Sequence, residues 1–134
     1  MEPGHMEVTE AQASHRPGDC RVVGTVLARV GDKWSILVVM TLTDGPRRFN
    51  ELKRIIGGIS QRMLTFTLRG LERDGLVSRT VTPTIPPRVD YELTELGRSL
   101  QVPVQALGSW AFANLPTIQA ARTRFDAGGE TDPA

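Results

Sequence analysis

Histidine and cysteine are absent from this chain beyond its first twenty residues. The 134 residues include two histidines, His5 and His15, and a single cysteine, Cys20. Residues 21–134 therefore lack the side chains needed for Ser-His-Asp or Cys-His nucleophilic sites, histidine acid-base chemistry and Cys/His zinc sites. One cysteine also cannot form an internal disulfide bond, which argues against a disulfide-stabilised secreted domain.

Long apolar runs are missing as well. The longest covers residues 36–40, far short of the roughly 20 residues that span a bilayer. No basic stretch followed by an apolar one marks a signal peptide, so we expect a cytoplasmic protein without a membrane partner. The sequence also shows no recognisable Gly-rich phosphate loop, paired-carboxylate site or set of metal ligands. We therefore expect no enzymatic activity, no cofactor and no metal.

Net charge is small, but the charge is unevenly distributed. Sixteen basic and fifteen acidic residues give a formal net charge of +1, which selects no partner. Residues 45–98 nevertheless hold ten basic and six acidic residues, a net charge of +4. Such a basic segment is typical of a surface that binds nucleic acid, although an ordinary solvated surface could have the same composition.

The length and the 40% hydrophobic content suit one globular domain. Residues 1–19 are polar and have no apolar period, and residues 126–134 (DAGGETDPA) are rich in glycine and acidic residues. We predict that both segments are disordered tails. Residues 20–125 would then form the folded domain.

Three short helices are predicted at the start of this domain. Apolar residues recur at helical spacing over residues 21–30, and Gly31 follows as a residue that favours a helix end. Asp32 is a good N-cap for a second helix, which is apolar nearly all round and belongs in the centre of the core. Asn50 would cap a third helix over residues 51–56, after a very short extended segment.

A fourth predicted helix, residues 61–74, has two contrasting faces. Ser60 is its candidate N-cap and Gly75 its candidate C-terminal end. At about 100° per residue, the leucines at positions 64, 68 and 71 form one stripe that faces the core. The opposite face carries Arg62, Phe66, Arg69 and Arg73. Exposed arginines can bind phosphates and guanines, although this face taken alone could simply be a charged solvent face.

A β-hairpin follows this helix. Residues 76–81 favour a strand, residues 82–87 form a proline-dense turn, and residues 88–93 alternate apolar and charged side chains. Two short helices joined by a tight turn and followed by such a hairpin predict a winged helix-turn-helix, mainly α with a small β-hairpin wing. The fourth helix would enter the major groove of DNA, and the wing would lie along the adjacent backbone or minor groove.

An apolar stripe after Thr94 points to dimerisation through the terminal helices. It recurs at helical spacing, and so small a domain can hardly bury it alone. Pro103 is expected to kink or divide the helix, with residues 116–125 forming a last short helix. The stripe could instead pack on the first helix of the same chain. The predicted dimer interface consists of Val22, Val26, Leu100, Val104, Leu107, Trp110 and Phe125.

Six stretches, in order, resemble the HxlR-type branch of bacterial winged helix-turn-helix repressors, which is related to the MarR-type regulators. They are VGDKW at 30–34, RFNEL at 48–52, GISQRML at 58–64, LRGLERDGLV at 68–77, PPRVDY at 86–91 and LTELG at 93–97. This resemblance covers most of the chain and implies a homodimeric, sequence-specific DNA-binding regulator of transcription. Phe66 departs from the polar or aliphatic residue expected at its position. It could contact a thymine methyl group or lie beneath the wing.

The expected function is that of a transcriptional regulator, a repressor, which binds an inverted-repeat operator in double-stranded DNA as a homodimer. The recognition helix would contact DNA through Ser60, Gln61, Arg62, Thr65, Phe66, Arg69 and Arg73. The wing and the backbone contacts would use Arg47, Arg48, Arg79 and Arg88. The alternative is a winged-helix module that binds only proteins, against which the line of cations argues.

Cys20 is the candidate for a switch that responds to an oxidant or another small-molecule effector. It lies at the start of the first predicted helix next to Arg21, where the helix dipole and the cation favour a reactive thiolate and Asp19 opposes them. Its position resembles that of the N-terminal cysteine that senses electrophiles or oxidants in some members of the family. The switch would be a Cys20 pair between subunits, a mixed disulfide or a direct adduct. The alternative is an unreactive, half-buried cysteine at the dimer surface.

Overall fold

The computed structural model describes residues 17–129 of the chain. Within them, six α-helices accompany one antiparallel hairpin of two strands, which confirms the predicted mainly α fold with a small wing. The elements are α1 (Pro17–Gly31), α2 (Lys33–Thr41), α3 (Phe49–Ile56), α4 (Gln61–Arg73), β1 (Val77–Thr82), β2 (Arg88–Leu93), α5 (Glu95–Ser99) and α6 (Gln101–Gly129). The described residues divide into two compact units, one that ends at Arg98 and one that begins at Ser99.

The core of the first unit is aliphatic. Leucines 64, 68 and 71 of α4 are buried as predicted, and α2 contributes Val38 and Val39. The other buried apolar side chains among residues 17–98 are Leu42, Leu52, Ile59, Leu76, Val77 and Leu93. Because α2, α3, α4 and both strands all supply core residues, α4 and the wing are fixed to one hydrophobic core.

Two predicted helix caps are present. The Asp32 carboxylate accepts hydrogen bonds from the backbone N–H groups of Trp34 and Ser35 at 3.0 and 3.1 Å. The Ser60 hydroxyl accepts one from the N–H of Met63 at 3.0 Å and so begins α4. These side chains satisfy donors that have no partner within the first turn of a helix.

The predicted cap of α3 was wrong. The helix begins at Phe49, so Asn50 lies in its first turn and Arg48 is the N-cap residue. The Glu51 carboxylate accepts a hydrogen bond from the N–H of Arg48 at 2.9 Å. This glutamate, three residues after Arg48, satisfies the backbone N–H at the start of α3, so no Asn cap is needed.

The predicted hairpin is present, with Val77 opposite Leu93 at its base and Thr82 opposite Arg88 at its tip. Its first strand lies one residue later than the predicted 76–81. The short extended segment before α3 is also present, because Arg47 forms an isolated antiparallel bridge with Tyr91 of β2. Arg47 thus pairs with β2 on the edge that β1 does not occupy. This pairing connects the segment just before α3 to the wing.

The terminal helices extend beyond the boundaries predicted for the tails. Residues 17–19 belong to α1 and residues 126–129 belong to α6, whereas the rest of both predicted tails lies outside the described residues. Pro17 can occupy the first position of a helix because its missing N–H would have no acceptor there, and Asp19 is favourable in the first turn. Helix α6 also passes the predicted boundary without a break.

The helix predicted after Thr94 is divided close to Pro103, as expected, because α5 ends at Ser99 and α6 begins at Gln101. The separate last helix predicted over residues 116–125 was wrong, since α6 is continuous to Gly129. Pro103 lies in its first turn, where a missing N–H donor costs no intrahelical hydrogen bond. Pro116 lies inside the helix and removes one donor, but the helix continues on both sides. Residues 101–121 of this helix contain no Asp, Glu, Lys or Arg.

Candidate nucleic-acid interface

Helix α4 presents a polar face opposite its buried leucines. Its N-terminal cap and first turn are exposed, and so are the arginines further along. All seven residues that the sequence predicts for the recognition helix are exposed, namely Ser60, Gln61, Arg62, Thr65, Phe66, Arg69 and Arg73. Because the opposite stripe is fully buried, the core fixes the direction in which this face points.

Phe66 lies at the centre of this face. Its side chain is 68% exposed, so the alternative in which it lies beneath the wing is wrong. It lines a shallow depression together with Gln61, Arg62, Thr65 and Arg69. A large exposed aromatic ring among cationic and polar side chains offers an apolar contact to a partner that is otherwise polar and anionic.

Arg62 and Arg69 are available for an external anion. Within residues 17–129, neither guanidinium group takes part in an ion pair. The guanidinium of Arg73 is 4.0 Å from the Asp74 carboxylate, at the limit of an ion pair, and its side chain is 82% exposed. Arg62 and Arg69 therefore add uncompensated positive charge to the exposed face of α4.

A groove of about 380 Å³ connects α4 to the wing. Thr65, Arg69 and Glu72 line one side, and Arg79 and Tyr91 line the other. The structure thus brings the predicted wing residue Arg79 next to the predicted recognition residue Arg69. A single anionic strand lying along this groove could contact both arginines.

A second cleft, of about 480 Å³, lies between α3 and the wing. It is lined by Arg48, Asn50, Glu51, Arg54 and Arg88. Two of the predicted backbone-contacting arginines are therefore near each other, and Arg54 joins them although sequence analysis did not select it. Its position four residues after Asn50, on the same side of a short helix, was the signal that would have found it.

Two of the predicted cationic contacts are already engaged within the protein. The Arg47 Nε donates to the carbonyl oxygen of Thr41 at 3.1 Å, at the end of α2. The Arg88 Nε donates to the Asp90 carboxylate at 3.1 Å, but this pair is solvent-exposed on the arginine side. Arg47 is thus directed toward its own chain, whereas Arg88 can still contact a phosphate.

The predicted dimer residues are mostly exposed in the single chain. On α1, Val22 and Val26 are 64% and 52% exposed. On α6, Leu107, Trp110 and Phe125 are also exposed, whereas Val104 is buried and Leu100 is half-buried. Both helices therefore offer apolar side chains to another surface.

Cys20 is a free and exposed cysteine in α1. The half-buried alternative does not describe its state in the single chain.

The two histidines lie outside the described residues. Among residues 17–129, no three His, Cys, Asp or Glu side chains are placed to hold a metal ion. Across the same residues, none of the helices has the length and apolarity to cross a membrane.

Comparison with known proteins places these features in a family. Residues 29–119 match the family described as HxlR-like helix-turn-helix. The HTH-type transcriptional regulator YtfH of Escherichia coli (strain K12) is 42% identical over 97 residues, which cover 72% of this chain and 77% of YtfH. The resemblance inferred from the six sequence stretches is confirmed.

Two solved structures are similar over most of their length. The redox regulator HypR in its reduced form has a TM-score of 0.68 and 42% identity, and the match covers 73% of this chain and 97% of HypR. The reduced form of the transcriptional regulator YodB from Bacillus subtilis has a TM-score of 0.60 and 40% identity, over 66% of this chain and 86% of YodB. The winged helix-turn-helix is therefore shared with regulators of transcription.

Proposed function

Because this chain belongs to the HxlR-like helix-turn-helix family of transcriptional regulators, we propose that it binds a specific operator in double-stranded DNA as a homodimer and acts there as a repressor. The observation that carries this proposal is the exposed face of α4, where Arg62 and Arg69 flank Phe66 and have no ion-pair partner among the described residues. A buried leucine stripe on the other side fixes that face toward solvent.

In the proposed complex, α4 lies in the major groove. Gln61, Arg62, Thr65, Phe66 and Arg69 contact base edges there. Phosphate contacts come from Arg48, Arg73, Arg79 and Arg88, with Arg54 added from the cleft between α3 and the wing. Arg47 is left out of this set because its Nε is bonded to Thr41.

The homodimer would form through the exposed apolar residues of α1 and of α6. Two-fold symmetry then presents two copies of α4 to two half-sites of an inverted repeat, about one helical turn or roughly 34 Å apart. A protein of this kind works where DNA is, so we also propose a cytoplasmic location.

Similarity to HypR and YodB supports an oxidant as the effector of this protein. HypR and YodB are, respectively, a redox regulator and a regulator whose diamide-treated form has been solved. Cys20 of this chain is exposed, so an oxidant such as diamide can reach it. Two Cys20 thiolates from two subunits would form a disulfide by giving two electrons to diamide, which takes up two protons.

The experiment that tests the proposed function is a footprint of the purified protein on the DNA upstream of its own gene and of the neighbouring genes. We expect a protected inverted repeat, with affinity that falls steeply as salt is raised. A scrambled duplex of the same length and composition is the control. Equal affinity for both duplexes would favour the alternative, a winged-helix module that binds proteins only.

A further inference from the structure

Arg29, near the end of α1, contacts the end of α4. Its Nε donates to the Asp74 carboxylate at 2.9 Å, and the two side chains are 24% and 30% exposed. The residues are 45 positions apart in the chain. A part-buried pair that joins two helices with this geometry restrains their relative position more than a fully exposed pair would.

Gly70 of α4 makes room for this contact. A Cβ atom built on Gly70 would overlap the guanidinium group of Arg29, which lies across the helix at this point. Gly70 is buried and lies in the interior of α4, where glycine is a poor helix former. The Arg29 guanidinium can therefore occupy this position only because residue 70 has no side chain.

Asp74 lies where the recognition helix ends and the wing begins. Its N–H donates to the carbonyl oxygen of Gly70 at 3.1 Å, and the N–H of Leu76 donates to that of Leu71 at 2.9 Å before β1 starts. Gly75 between them has a φ of +79°, which allows the chain to turn. Arg29 thus binds the junction between the two DNA-contacting elements.

We propose that Arg29 is a positioning residue for sequence recognition: through Gly70 and Asp74 it fixes α4 relative to α1. The inference rests on the proposed function. Helix α1 carries exposed apolar residues of the proposed dimer surface, so the orientation of α4 relative to α1 affects how two copies of α4 match two half-sites. Binding to random DNA depends on the number of cations and much less on this orientation.

The decisive variant is Gly70→Ala, because it displaces the Arg29 guanidinium without changing any charge. Alanine is the better helix former, so α4 itself should remain intact. Arg29→Gln removes the same contact from the other side. Arg98→Gln is the matched control, since it removes one arginine from an exposed pair with Glu92, at 3.5 Å, that does not involve α4.

The measurements are the Kd for the footprinted operator, the Kd for a scrambled duplex, and the thermal unfolding midpoint of each variant. We expect Gly70→Ala and Arg29→Gln each to weaken operator binding by about three- to tenfold more than scrambled binding, a loss typical of residues that couple elements. The double variant should be no weaker than the worse single variant, because both remove one contact. Arg98→Gln should weaken both duplexes equally.

Operator affinity equal to wild type in both single variants would overturn the inference, and so would equal losses on the two duplexes or fully additive losses in the double variant. If one single variant unfolds near the assay temperature, the operator and scrambled Kd values of the other variant alone decide the inference by the same criteria. A wild-type chain that does not distinguish operator from scrambled duplex overturns the proposed function, and this inference with it. Each failure thus has its own signature.

Discussion

The backbone of Arg47 pairs with that of Tyr91. The Arg47 N–H donates to the Tyr91 carbonyl oxygen at 2.9 Å, and the Tyr91 N–H donates to the Arg47 carbonyl oxygen at 2.8 Å. These two hydrogen bonds connect the residue before the Arg48 N-cap to the middle of β2. The wing and the start of α3 are therefore held together by backbone contacts, so substitutions of exposed side chains on either should leave the scaffold unchanged.

Base-contacting and phosphate-contacting arginines should differ in a measurable way. We expect Arg62→Ala to lose about 1–3 kcal/mol of discrimination between operator and scrambled duplex, because an arginine pairing with guanine carries sequence information. Arg88→Ala should weaken both duplexes alike and lower the slope of log K against log salt by about one. Competition binding at several salt concentrations measures both quantities. Identical behaviour of the two variants would contradict the assignment.

Phe66 should make binding sensitive to a thymine methyl group. Replacing each operator thymine in turn by uracil deletes one methyl, and at the contacted base we expect a loss of about 0.8 kcal/mol, or roughly fourfold in Kd. Phe66→Ala should bind thymine and uracil operators equally well. The scrambled duplex is the control. A wild-type protein indifferent to every methyl would show that Phe66 contacts no thymine.

Gly97→Ala should destabilise the folded chain. Gly97 is buried in α5, and a Cβ there would overlap the carbonyl oxygen of Leu76, which is backbone and cannot move aside easily. We expect a loss of about 1–3 kcal/mol in the free energy of unfolding, measured with urea. Gly31→Ala is the control, since nothing lies within 4 Å of a Cβ added there. A Gly97→Ala protein as stable as the control would show that α5 is not closely packed on the wing.

Trp110→Asp should convert the proposed dimer to a monomer. The ring is 59% exposed in the single chain, and a carboxylate at the centre of an apolar interface would be buried without a partner. Sedimentation measures the oligomeric state, and operator affinity should fall with it because two half-sites are then bound independently. Gln105→Asp, an exposed position on the opposite side of α6, serves as the control. A dimer that survives Trp110→Asp would place the interface elsewhere.

Cys20→Ser should abolish any response to an oxidant and leave reduced binding intact. We expect diamide to change the operator footprint of the wild type and not that of the variant, with recovery after a thiol reductant. Non-reducing electrophoresis identifies a disulfide between subunits. A wild-type footprint that is unchanged by diamide, with Cys20 modified, would show that this cysteine is not a switch.

Local sequence signals predicted the local structure well. The caps at Asp32 and Ser60 and the leucine stripe of α4 depend on residues within a few positions of each other, so spacing alone was sufficient. The assignment at Asn50 failed because Glu51 supplied a competing capping interaction. The separate helix predicted from residue 116 failed because Pro116 removes only one donor from a helix that continues on both sides of it.

Contacts between distant residues were not predictable from the sequence. The cleft shared by Arg54 and Arg88 and the pair between Arg29 and Asp74 depend on the packing of whole elements. Arg47 has the charge of a phosphate contact, but the turn after α2 brings it within hydrogen-bond distance of Thr41. The shared exposure of the predicted contact residues on α4 was foreseeable because a single helix presents them.

Helix α6 has no ionisable side chain from residue 101 to residue 121, although much of it is exposed. A dimer held by this surface is held by burial of apolar area, which added salt does not screen. Contacts to phosphates weaken steeply under the same conditions. Raising the ionic strength should therefore release DNA from a protein that remains paired, so that each released dimer can bind another operator without first reassembling.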